Sequence, residues 1–122
     1  MKNLFFIFCF LLTLPAISQI EISKNWEFRQ VGTKAWHSAE VPGVVHLDLL
    51  KNGLIPDPFW GTNEKEVQWI ENENWEYKTT FLTPHFSKRK NYKLVFEGLD
   101  TYATVFLNGK KILESENMFI RY

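Results

Sequence analysis

Thr101-Tyr102-Ala103-Thr104-Val105-Phe106-Leu107-Asn108-Gly109 is the stretch that decides the fold class. Its first seven residues are mostly β-branched or aromatic, the side chains that suit a pleated, half-buried surface. Asn108-Gly109 follows, and both residues tolerate the positive φ that a two-residue hairpin turn demands. Ile112 and Leu113 then begin a return strand. Just upstream, Tyr92 to Glu97 alternates, with Leu94 and Phe96 on one face, and predicts another strand. Before that, Trp75, Tyr77, Thr79 and Phe81 alternate with Glu76, Lys78 and Thr80, a half-buried strand closed by Pro84.

The first half of the chain is punctuated differently. Asn25-Trp26-Glu27-Phe28-Arg29 has the strand period, and Val41-Pro42-Gly43 breaks the chain. From Val44 to Lys51 the period changes: Val45 and Leu49 are four apart, as are His46 and Leu50. That spacing predicts a helix of about two turns, ended by Asn52-Gly53 as a C-terminal cap. Pro56, Pro58 and Gly61 sit among Phe59, Trp60 and Trp69, so residues 53–71 read as a proline-rich loop. Short strands separated by turn signals, with almost no helix, make an all-β chain, a jelly roll or β-sandwich. Five or six strands leave unpaired sheet edges, so the domain is expected to be incomplete.

The N-terminus carries a different signal. Met1, Lys2 and Asn3 precede the apolar run Leu4 to Leu14, and Pro15-Ala16-Ile17-Ser18 supplies a breaker and a small-residue processing site. Residues 1–18 read as a signal peptide cleaved before Gln19, and the run is shorter than the roughly 18 residues a membrane span requires. The division is then 1–18 leader and 19–122 partial jelly-roll domain, in a protein secreted or sent to the periplasm, with no membrane attachment after cleavage. Cys9, the single cysteine, leaves with the leader, so the mature chain has no disulfide and no thiol nucleophile. Fourteen basic and fourteen acidic residues balance. Lys88, Arg89, Lys90 and Lys93 form a local basic cluster that reads as a solvated loop, and no nucleic-acid partner is expected.

Residues 36–77 contain an ordered set of short segments: Ala39-Glu40-Val41-Pro42-Gly43, Val45-His46-Leu47-Asp48-Leu49-Leu50, Gly53-Leu54-Ile55-Pro56-Asp57-Pro58-Phe59, Gly61-Thr62-Asn63-Glu64, Val67-Gln68-Trp69-Ile70 and Trp75-Glu76-Tyr77. Together they resemble the N-terminal domain of β-mannosidases in glycoside hydrolase family 2. The segment from Phe96 to Gly109 continues the match less specifically, since β-galactosidase-like and β-glucuronidase-like relatives are similar there. The resemblance implies a galactose-binding-like jelly roll, followed in the family by an immunoglobulin-like sandwich and a (β/α)₈ barrel. Two barrel glutamates hydrolyse terminal β-D-mannosides with retention, one as nucleophile and one as acid/base. Those residues are expected outside residues 1–122, so no catalytic residue is assigned here. The β-mannoside oligosaccharide is expected to be met through the barrel.

By the same resemblance, the loop before Trp75-Glu76-Tyr77 reaches the sugar pocket, which makes Trp69, Glu71 and Asn72 the candidate substrate-binding residues. Packing of Trp69 beneath its own loop is the favoured alternative. Phe59 and Trp60 are divided between a domain interface, which is favoured, and a sugar platform. Asn63-Glu64 matches the local order around the family's acid/base but not its location, and reads as a loop contact. Asp57, Glu71 and Asp100 read as solvated or turn-capping carboxylates. His37, His46 and His85 lack ligand spacing, so no metal is expected, and no cofactor. On the helix, His46 reads as packed or hydrogen-bonded. Two other functions stay open: a free-standing carbohydrate-binding module, and an inactive truncated fragment.

Overall fold

The computed structural model describes residues 19–82 and 91–122, which belong to two compact units, Met1–Leu82 and Thr83–Tyr122. Residues 1–18, where the leader reading falls, lie outside the described residues, as do Pro84, His85 and the cluster Lys88, Arg89 and Lys90.

The first unit is built around strand β1, Trp26–Gln30. It is flanked on one side by β2, His37–Ala39, and on the other by β3, Trp75–Lys78, in a three-stranded antiparallel sheet of order β2-β1-β3. Phe28 faces both His37 and Tyr77 across the ladder, while Arg29 faces Glu76 and Glu27 faces Lys78. The period-2 rule then separates the faces. Phe28 is fully buried, whereas the other face carries the ion pairs Arg29–Glu76 at 2.7 Å and Lys78–Glu27 at 3.2 Å. Trp36 lies beneath both cations, 4.3 Å from the Arg29 guanidinium and 3.8 Å from Lys78 Nζ.

Helix α1, Val45–Lys51, covers the Phe28 face as its spacing predicts. Leu49 enters the core with Phe28, Ile55, Val67 and Ile70, and Val45 and Leu50 pack against that cluster. Gly53, at φ +67°, ends the helix in the left-handed region where glycine carries no Cβ penalty. The Val41–Pro42 peptide leading into the helix is cis.

Residues 53–71 are less loop-like than their prolines suggest. Past Pro58 lie a single helical turn, α2, Asn63–Glu66, and a 3₁₀ turn, Gln68–Asn72. Val67 and Ile70 anchor them by burial. Strand β3 is also shorter than expected, stopping at Lys78. Asn25 adopts φ +59° and turns β1's lead-in away from the ladder, so Thr79 Oγ1 donates instead to the Lys24 carbonyl, at 2.9 Å.

The second unit holds β4, Ala103–Leu107, and β5, Lys110–Ser115, joined by Asn108 and Gly109 at φ +51° and +78°. This is the predicted hairpin, with an irregularity in register between Val105 and Phe106. The strand expected over Tyr92–Glu97 does not form. Phe96 exchanges backbone hydrogen bonds with Tyr122 there, at 2.8 and 3.1 Å. Alternation marks which face is apolar, but a strand also requires a neighbour along its whole length. Strands still outnumber helices among the described residues, in keeping with the all-β class that the turn spacing indicates.

Candidate functional site

The 3₁₀ turn sets the geometry around the expected sugar-facing residues. Val67 and Ile70 point into the core, which leaves Trp69, on the same short turn, directed away from it and 40% exposed. Its ring lies 6.0 Å from that of Trp75 at 43°. Trp75 is itself fixed, since its indole N–H donates to the Ile70 carbonyl at 3.1 Å. The two indoles border a groove of about 250 Å³ with Phe28 and Leu49 on its apolar side and Thr33 and His37 as polar neighbours. Stacked or tilted rings of this kind offer an apolar face with few polar groups to orient what lies against it.

Of the three candidate residues, the structure brings only Trp69 into the groove. Glu71 and Asn72 are exposed on the same turn and do not line it. The Asn72 side-chain amide donates back to the Gln68 carbonyl at 3.3 Å, a local turn contact. The sequence does not place Thr33 and His37 beside Trp69, because the turn after β1 and the start of β2 meet the 3₁₀ turn only once the sheet has formed.

The same unit contains a buried carboxylate. Asp48, 2% exposed, accepts the Glu40 backbone N–H on Oδ1 and the Tyr77 hydroxyl on Oδ2, both at 2.9 Å. Burial raises the Tyr77 phenol well above its ordinary titration range, and the hydrogen bond to Asp48 and its negative charge act in the same direction. Both Asp48 oxygens are engaged in holding strand to helix, so this carboxylate is structural rather than poised for chemistry.

The remaining carboxylates follow the bland expectation. Asp57 Oδ1 accepts the Phe59 N–H at 2.9 Å and Asp100 Oδ1 accepts the Thr101 N–H at 2.7 Å, both turn roles. Asn63 opens α2 and its amide donates to the Asp57 carbonyl at 2.9 Å, the loop contact expected of Asn63-Glu64. His46 differs from expectation: it stands exposed on α1 rather than packed, because the helix buries its Asp48 and Leu49 instead. His37 stacks obliquely on Phe28, ring centres 5.9 Å apart. Phe59 and Trp60 are 95% and 77% exposed, on a loop fixed by the hydrogen bonds of Asp57 and Asn63. No group of three or more metal-ligating side chains occurs among the described residues.

Comparison with known proteins identifies the domain to which these residues belong. The family model described as "Glycosyl hydrolase 2 galactose-binding domain-like" matches residues 26–122. "Beta-mannosidase B" of Thermothelomyces thermophilus is 48% identical over 104 residues, covering 83% of this chain and 12% of that protein. The protein of the same name from Emericella nidulans is 42% identical over 113 residues, covering 89% and 13%. The crystal structure of a β-D-mannosidase from Dictyoglomus thermophilum superimposes with a TM-score of 0.75 at 49% identity, covering 84% of this chain and 13% of that one. The chain thus spans about an eighth of the length of these relatives, and the family model's match begins with β1 and runs through the β4–β5 hairpin. The chain belongs to glycosyl hydrolase family 2, and residues 26–122 are its galactose-binding domain-like part.

Proposed function

We propose that this chain is the non-catalytic N-terminal part of a β-mannosidase that hydrolyses terminal β-D-mannosides with retention. The observation that carries the reading is the near-half identity to β-mannosidases confined to about an eighth of their length. Retaining hydrolysis needs two carboxyl groups about 5 Å apart flanking the glycosidic bond. Here the one buried carboxylate among the described residues, Asp48, has both oxygens committed to Glu40 and Tyr77.

In this reading the segment supports the catalytic barrel and forms one wall of its pocket. Trp69 is the residue that faces the sugar, with Glu71 and Asn72 at the rim. Phe59 and Trp60, whose exposed rings are held on a braced loop, pack against the rest of the enzyme. The protein is exported, secreted or periplasmic, with Lys2, the Leu4–Leu14 run and Ala16-Ile17-Ser18 as its leader. Its partner is a β-mannoside oligosaccharide, bound through the barrel.

The test is an assay of the purified chain on an aryl β-mannoside. No hydrolysis above the uncatalysed rate is expected. Turnover that survives repurification would overturn the assignment of catalysis to another domain.

A further inference from the structure

The chain contains two Asn-Gly pairs, and the structure treats them in opposite ways. At Asn52-Gly53 every reacting group is occupied. The Asn52 amide donates to the Ser38 carbonyl at 2.9 Å and to the Asp48 carbonyl at 2.7 Å, and its oxygen accepts from the Ser38 hydroxyl at 3.3 Å. The Gly53 N–H donates to the Leu50 carbonyl at 2.9 Å. At Asn108-Gly109 the two residues are the whole of a two-residue turn between the paired Leu107 and Lys110. Both are exposed, and no hydrogen bond holds the Asn108 side chain among the described residues. In such a turn the second residue's N–H faces solvent rather than the ladder.

From this contrast we propose that Asn108 is a site of spontaneous deamidation, and that the fold protects Asn52 from the same reaction. The Gly109 backbone nitrogen loses its proton to solvent base and attacks the Asn108 side-chain carbonyl carbon. The new C–N bond closes a five-membered succinimide as the bond to the side-chain nitrogen breaks, and ammonia leaves with a proton from water. Water then adds to either ring carbonyl, giving aspartate or isoaspartate. The net change is one water consumed and one ammonia released. Glycine matters twice: it has no side chain to shield its nitrogen, and its positive φ, +78°, permits this turn. Isoaspartate places an extra carbon in the main chain of a loop that has room for two residues. That change breaks the pairing of Leu107 with Lys110 that sets the register of the hairpin.

The experiment holds the full chain in mildly alkaline buffer, with a parallel sample in concentrated urea. Time points are digested and mapped by mass spectrometry, and isoaspartate is detected by enzymatic methylation. In native buffer a mass gain of one dalton is expected at the peptide containing Asn108, about tenfold faster than at the peptide containing Asn52, because Asn52 must first open its hydrogen bonds. In urea the two rates are expected to converge. Native-buffer loss at Asn52 that equals or exceeds that at Asn108 would overturn the proposal. So would an Asn108 that stays intact while the urea sample converts.

Discussion

A single side chain, Asp48, ties three segments of the first unit together. It reaches the Glu40 backbone before α1 and the Tyr77 hydroxyl on β3, and it does so almost without solvent. Replacing Tyr77 by phenylalanine keeps the ring's packing on Phe28, 5.7 Å away, and removes only the donor. A buried carboxylate oxygen left unpaired costs about 1–3 kcal/mol, which denaturant titration of Tyr77→Phe is expected to read. The same contact has a pH signature. Tyr77 is held neutral in the fold, chiefly by burial, so its folded pKa lies above its unfolded value. The associated stability is complete below the unfolded value of about 10 and is lost as pH climbs through the folded one. The wild-type chain is therefore expected to lose stability above about pH 10 more steeply than Tyr77→Phe, and equal slopes would contradict the assignment. None of this was legible in the sequence. Asp48 and Tyr77 lie 29 residues apart, and an aspartate on a short helix looks like any solvated charge until β3 arrives beside it.

At the scale of elements, legibility followed how local the determining forces are. The α1 helix and the β4–β5 hairpin were readable because their signals, a four-residue spacing and an Asn-Gly turn, act within a few residues. The strand over Tyr92–Glu97 and the loop over 53–71 were misread for the opposite reason. One depends on a neighbouring strand, and in the other two single turns are too short to show a period and are held by the burial of Val67 and Ile70. The connection from β2 to α1 depends on a close backbone approach. A Cβ on Gly43 would collide with the Glu40 carbonyl oxygen, a backbone atom that cannot move aside as a flexible side chain would. Glu40 is also the residue whose N–H binds Asp48, so the displacement would reach the buried carboxylate. Gly43→Ala is expected to destabilise the first unit by about 1–3 kcal/mol, measured by thermal unfolding, while an alanine at exposed Gly32, whose Cβ meets nothing within 4 Å, strains only its own φ of +90°.

For the whole molecule, the comparisons and the geometry point the same way. Identity to β-mannosidases runs through 83% to 89% of the chain, and the described residues offer aromatic walls and braced loops instead of paired catalytic carboxylates. Of the three residues that the resemblance singles out, Trp69 alone borders the groove. A tryptophan in the loop before β3 stands out in the sequence, whereas Thr33 and His37 join Trp69 only through the tertiary fold. Exposed Phe59 and Trp60 belong to this scale too, since in the proposed function they pack against the rest of the enzyme.

The central claim is that this segment does in a β-mannosidase what the matching segment of its relatives does. The most direct measurement is the rate of a chimera in which residues 26–122 replace the corresponding segment of the Dictyoglomus β-D-mannosidase. The account predicts a folded chimera that hydrolyses an aryl β-mannoside with kcat/KM within about tenfold of the parent, because under the proposed function the graft supplies an equivalent pocket wall and leaves the reacting carboxylates untouched. A chimera that folds cooperatively yet shows no hydrolysis would contradict it.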